Sequence, residues 1–81
     1  MNEPVRLCDV PQGKDVMVLS VTCEERMRKR LQELGLMEGS RVRPLFSAAF
    51  GDPKAYLVRE AVLGIRNRDA GQILCKEADS Q

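Results

Sequence analysis

Few side chains in this sequence are able to do chemistry. It has no histidine, and its three cysteines, Cys8, Cys23 and Cys75, stand far apart with no C-x-x-C spacing. Covalent and acid–base catalysis need a nucleophile beside a base, and the chain has neither a G-x-S-x-G turn nor a phosphate-cradling glycine loop. Cys23 lies close in sequence to Arg26 and Lys29, whose charges would lower a thiol pKa; with no second partner, an inert thiol is the simpler reading. Zinc- and iron-type sites draw on clustered His, Cys and carboxylates, whereas the carboxylates here are scattered. Glu24 and Glu25 are neighbours, but acids at a helix start are explained by the helix dipole. The expectation is a binding module with no catalytic residue, cofactor or metal ligand.

Charge narrows what such a module binds. The formal net charge is +1, which supplies no bulk attraction to nucleic acid or anionic lipid. Between positions 26 and 43, however, six basic residues (Arg26, Arg28, Lys29, Arg30, Arg41, Arg43) face two acids, Glu33 and Glu38. That excess suits an acidic partner surface or a solvated helix face, the second being the commoner arrangement. Nucleic-acid binding by an SH3- or Sm-like small barrel, through the basic face around Arg26 to Arg43, is the alternative function. It calls for aromatic platforms and a basic groove, against only three aromatics: Phe46, Phe50 and Tyr56.

The elements that must position these residues fit one domain. A chain of 81 residues buries only about 60% of its unfolded surface, so a nearly closed barrel in which every strand serves one core is expected. No repeat or linker divides it. The core should span about 5–77 with frayed ends, and no apolar run reaches the ~20 residues of a membrane span. A cytoplasmic protein, not inserted in the membrane, is expected.

Leu7 to Gly13 reads as a turn with Leu7 and Val10 inward, before a strand from Asp15 to Val21. Thr22-Cys23-Glu24-Glu25 has the spacing of a capping box, with Thr22 and Glu25 as its partners. The helix that follows places Met27, Leu31 and Leu34 on one stripe and ends at Gly35. Gly39 turns the chain into a strand from Arg41 to Phe46, where Pro44 demands an edge or a bulge. Gly51-Asp52-Pro53 makes the next turn. Strands from Lys54 to Arg59 and Val62 to Arg66 form a hairpin around Glu60-Ala61, then Asn67 and Asp69 cap one helical turn before a strand from Gln72 to Lys76. The predicted class is mainly β, an SH3-like small β-barrel with one inserted α-helix and a short C-terminal helical turn.

Taken in order, R-L-x-x-L-G-L-x-x-G from Arg30 to Gly39, Gly51-Asp52-Pro53, and R-x-x-D-A from Arg66 to Ala70 resemble the FeoA family of bacterial ferrous-iron uptake. The likeness runs from about Leu7 to Lys76. It implies the SH3-like fold, no catalytic activity, and a role supporting a FeoB-type transporter with a cytoplasmic GTP-binding domain. It also implies a fold shared with the C-terminal domain of iron- and manganese-dependent repressors. The expected partner is that transporter, through its GTP-binding domain or a membrane-proximal segment, and the chain should be a monomer or weak homo-oligomer at the inner face of the membrane. No nucleic-acid partner is expected.

Site residues follow. Met27, Arg30, Leu36, Met37 and Phe50 are the candidate partner contacts, because the apolar side chains near the helix exceed what so small a barrel hides. Arg30 is expected either to bridge Glu33 or Asp69 or to meet the partner. Gly13, Thr22, Glu25, Gly35, Gly39, Pro53, Asn67 and Asp69 are assigned to turns and caps.

Overall fold

The computed structural model describes residues 3–78. The expectation of frayed ends falls largely outside them. In chain order come β1 (Val5–Arg6), a 3-10 turn (Leu7–Asp9), β2 (Val16–Val21), α1 (Glu25–Glu33) and β3 (Arg41–Ser47). A second 3-10 turn (Ala49–Gly51), β4 (Lys54–Val58), β5 (Ala61–Ile65), α2 (Asn67–Ala70) and β6 (Ile73–Glu77) follow. The strands form one antiparallel sheet in the order β1-β6-β2-β3-β4-β5.

The alternation of strand side chains explains the core. Val16 and Val18 of β2, Val42 of β3, Tyr56 and Val58 of β4, and Ile73 and Cys75 of β6 all point inward and are almost wholly buried. Leu7 and Val10, next to β1 at one end of the sheet, share this cluster with Ile65 of β5 at the other end. The sheet is therefore curled on itself. Lys54 Nζ donates to the Cys8 carbonyl at 2.7 Å, tying β4 to the turn that follows β1.

Several local expectations are corrected. The capping box at Thr22 and Glu25 does not form, and α1 starts with no side-chain cap. Thr22 instead donates both its amide and its hydroxyl to the Gln72 carbonyl, each at 2.8 Å, because it prolongs the β2–β6 pairing past Val21 and Ile73. Leu34 is also not buried. It is the C-cap of α1 and stands 47% exposed. The chain reverses through Gly35 at φ +98°, the Leu36 amide bonds the Leu31 carbonyl and the Gly35 amide the Gln32 carbonyl. That pair of bonds is the Schellman closure, and it sends Leu36 into the core in place of Leu34. A β-carbon at Gly35 would also meet Arg59 at 3.3 Å.

Met37 to Ser40 is a turn closed by Ser40 N to Met37 O at 2.9 Å, with Gly39 at φ +87°. The bulge demanded by Pro44 is present between Pro44 and Phe46. The hairpin turn lies one residue earlier than expected, at Arg59-Glu60, with Val58 opposite Ala61.

Asn67 and Asp69 do not cap α2 with their side chains. The Asn67 amide donates to Asp52 Oδ1 at 2.8 Å and its Nδ2 to the Gly51 carbonyl at 2.9 Å, so Asn67 pins the β3–β4 tip while Asp52 receives the first amide. Asp69 contributes its carbonyl, which accepts from Gln72 N at 3.0 Å and from Cys23 Sγ at 3.5 Å. Pro53, after a cis bond, closes the tip through its carbonyl to Ala48 N at 2.9 Å. Gly13, at φ +85°, donates to the Pro44 carbonyl at 2.8 Å, as suits its assigned turn.

Candidate functional site

A helix of nine residues is too short to persist alone in water, so α1 depends on what it leans against. Leu31 is its one fully buried side chain, and Met27 packs half-buried against the core. The rest of the helix surface is uncovered. Between α1 and β5 runs a groove of about 440 Å³, lined on one wall by Met27, Arg30 and Leu34 and on the other by Val62 and Gly64. Arg66, Arg68 and Asp69 line its α2 end.

The charges in this groove are unbalanced. Among the described residues Arg30 makes no ion pair or side-chain hydrogen bond, so neither of the expected bridges, to Glu33 or to Asp69, is formed. Arg66 and Arg68 are likewise exposed and without an ion pair among the described residues. Elsewhere in the basic stretch, Lys29 pairs with Glu25 at 3.5 Å and Arg43 with Asp15 at 2.7 Å. Among the described residues, most cations without an ion pair therefore lie on α1 and at the β5–α2 junction.

The other predicted contacts separate. Met37 lies half-buried in a second groove of about 250 Å³ with Val21, Arg28, Gln32 and Glu38. Leu36 lines the floor of that groove but is 1% exposed, so it serves the core and its side chain has no surface to give a partner. Phe50 stands apart from both grooves, fully exposed at the β3–β4 tip with φ +66°, a left-handed backbone rarely taken by an aromatic residue. The hydrogen bonds of Asn67, Asp52 and Pro53 fix that tip.

Sequence reasoning missed Val62, Gly64, Arg66 and Arg68. Their only signal was the nearness of an edge strand to an arginine pair, which becomes informative once β5 is known to lie beside α1.

Neither Cys23 nor Cys75 is an activated thiol. Burial, then the nearby Asp69 charge, raises the Cys23 thiol above its usual range, the reverse of activation. Cys75 is wholly buried and pushed up to about 12. Among the described residues, no three His, Cys, Asp or Glu side chains converge as a metal site would require, and no helix is long and apolar enough to cross a membrane.

The chain is thus a small SH3-like barrel whose open grooves are lined by apolar and arginine side chains. The FeoA domain family matches residues 5–77, and the chain belongs to that family. Its structure is similar to FeoA from Chlorobium tepidum at 28% identity and a TM-score of 0.89, covering 95% of this chain and 73% of that one. A FeoA-like protein from Clostridium acetobutylicum is 25% identical with a TM-score of 0.83, covering 100% and 94%. FeoA from Stenotrophomonas maltophilia, complexed with zinc and described as a prokaryotic SH3 domain protein, shares the fold at 24% identity and a TM-score of 0.76, covering 89% of each chain. No curated protein matches the sequence.

Proposed function

We propose that this chain is a non-enzymatic accessory protein of ferrous iron uptake, which binds a FeoB-type GTP-binding transporter on its cytoplasmic side and modulates it. Membership of the FeoA family supports the pathway. The S. maltophilia relative is itself described as a candidate activating factor of bacterial ferrous iron transport. The observation that carries the docking role is the uncovered face of α1, where Met27 and Leu34 border a groove whose arginines have no acidic partner among the described residues. Such a surface favours a partner that brings carboxylates and a few apolar anchors.

The test is an NMR titration of the 15N-labelled chain with the soluble GTP-binding domain of the transporter from the same cell. Shifts are expected at Met27 and Arg30 first, with Met37 and Phe50 reporting any wider footprint. An unchanged spectrum at millimolar domain would refute binding to that domain, and a membrane-proximal peptide of the transporter would then be the remaining partner to titrate. If the chain instead bound single-stranded RNA with an affinity falling steeply with salt, the nucleic-acid alternative would replace this reading.

A further inference from the structure

Of the two edge strands of the sheet, β5 is the longer, and it has backbone to offer. The two-residue turn Arg59-Glu60 sets Val58 opposite Ala61 as the hydrogen-bonded pair that closes the hairpin. Pairs in an antiparallel ladder alternate, so Leu63 and Ile65 also bond to β4, whereas Val62 and Gly64 aim their N–H and C=O groups away from it. The sheet ends at β5, and both residues line the groove beside α1.

Gly64 strengthens the point. Its φ lies outside the left-handed region and a β-carbon there would meet nothing within 4 Å, so neither backbone conformation nor crowding calls for glycine. Glycine in the middle of a strand weakens it and is used at bulges, at barrel bends and where another backbone comes close; the β4–β5 register runs past Gly64 without a bulge. The same groove carries Arg30, Arg66 and Arg68 against the single carboxylate of Asp69.

From these observations we propose that β5 and α1 hold an extended, acidic segment of the partner protein as an added strand. Its backbone pairs with Val62 and Gly64, its apolar side chains lie against Met27 and Leu34, and its carboxylates meet Arg30, Arg66 and Arg68. This deepens the docking role proposed above and rests on it, naming the chemistry of the segment that docks.

The experiment titrates the labelled chain with two blocked synthetic octapeptides, one alternating Val with Glu and one alternating Val with Lys. Saturable shifts of the 62–65 amides are expected with the Glu peptide, and at least tenfold weaker binding with the Lys peptide. Gly64→Pro removes an amide that the β4 ladder does not use and should weaken the Glu peptide at least tenfold. Should that variant unfold, the double variant Arg30→Glu, Arg66→Glu carries the test, since it should reverse the preference between the peptides. Equal binding of both peptides, shifts mapping away from β5, or tighter binding of a uridine hexamer than of the Glu peptide would overturn the proposal. Shifts with the GTP-binding domain but none with the peptides would sink strand addition alone. Peptide binding without any response to the transporter's domains would instead remove the transporter as partner.

Discussion

Tyr56 is the only tyrosine in the chain and is 0% exposed. Its hydroxyl has no hydrogen-bond partner among the described residues. Burial first, then the neighbouring thiols and the Asp52 and Asp9 carboxylates, pushes its pKa from 10 to about 12, and burial does the same to Cys75 from 9 to about 12. Between those values the folded chain holds protons that the unfolded chain has released. Stability contributed by these groups is therefore full below about pH 9 and lost as pH rises toward 12, at on the order of 2–4 kcal/mol each. The predicted observation is that tyrosinate absorbance and loss of β circular dichroism rise together in one alkaline transition. A tyrosinate signal that appears near pH 10 while the fold persists would contradict the burial argument. Tyr56→Phe deletes a hydroxyl with no partner among the described residues, so it should retain the fold at pH 7 with a stability change within about 1 kcal/mol.

Among the elements, α1 is the most dependent on its surroundings. Its first turn lacks a side-chain cap, its single fully buried residue is Leu31, and its end is fastened by the Gly35 closure. Leu31→Ala is expected to cost about 2–5 kcal/mol, a large share of what so small a domain has to lose. Thermal unfolding would register the loss, and amide exchange should rise in α1 before the β2–β6 ladder; uniform exchange across the molecule would show instead that the helix and sheet unfold as one unit. The expected strand–helix–strand order was legible because strand alternation and the Gly35 and Gly39 turns are local signals. Caps were not, because Thr22 and Asn67 spend their donors on partners 50 and 15–16 residues away, Gln72 and the Gly51-Asp52 tip. The same limit explains Leu34: helical periodicity placed it inward, but the turn after it gave its place to Leu36.

At the scale of the molecule, two of the residues named from the sequence, Met27 and Arg30, lie together in the groove between α1 and β5. The opposite wall was hidden, since which strand lies beside α1 is decided by the curl of the whole sheet. Two other candidate contacts, Met37 and Phe50, lie on separate features, a groove beside α1 and the tip after β3.

An exposed outer strand has a second consequence, for the company the protein keeps with itself. A bare edge is a template for any other strand, including that of an identical chain, and unprotected edges lead to stacking and precipitation. Two copies meeting at β5 would gather two sets of Arg30, Arg66 and Arg68 along one shared edge, where like charges repel over the ~10 Å that salt leaves unscreened. The arginines would then keep the edge available to an acidic visitor while keeping kin away. Replacing all three with glutamine should turn a single sedimenting species into a concentration-dependent mixture, and adding salt should push the unaltered chain the same way. If the glutamine variant sediments as the parent does at millimolar concentration, something other than charge guards that edge.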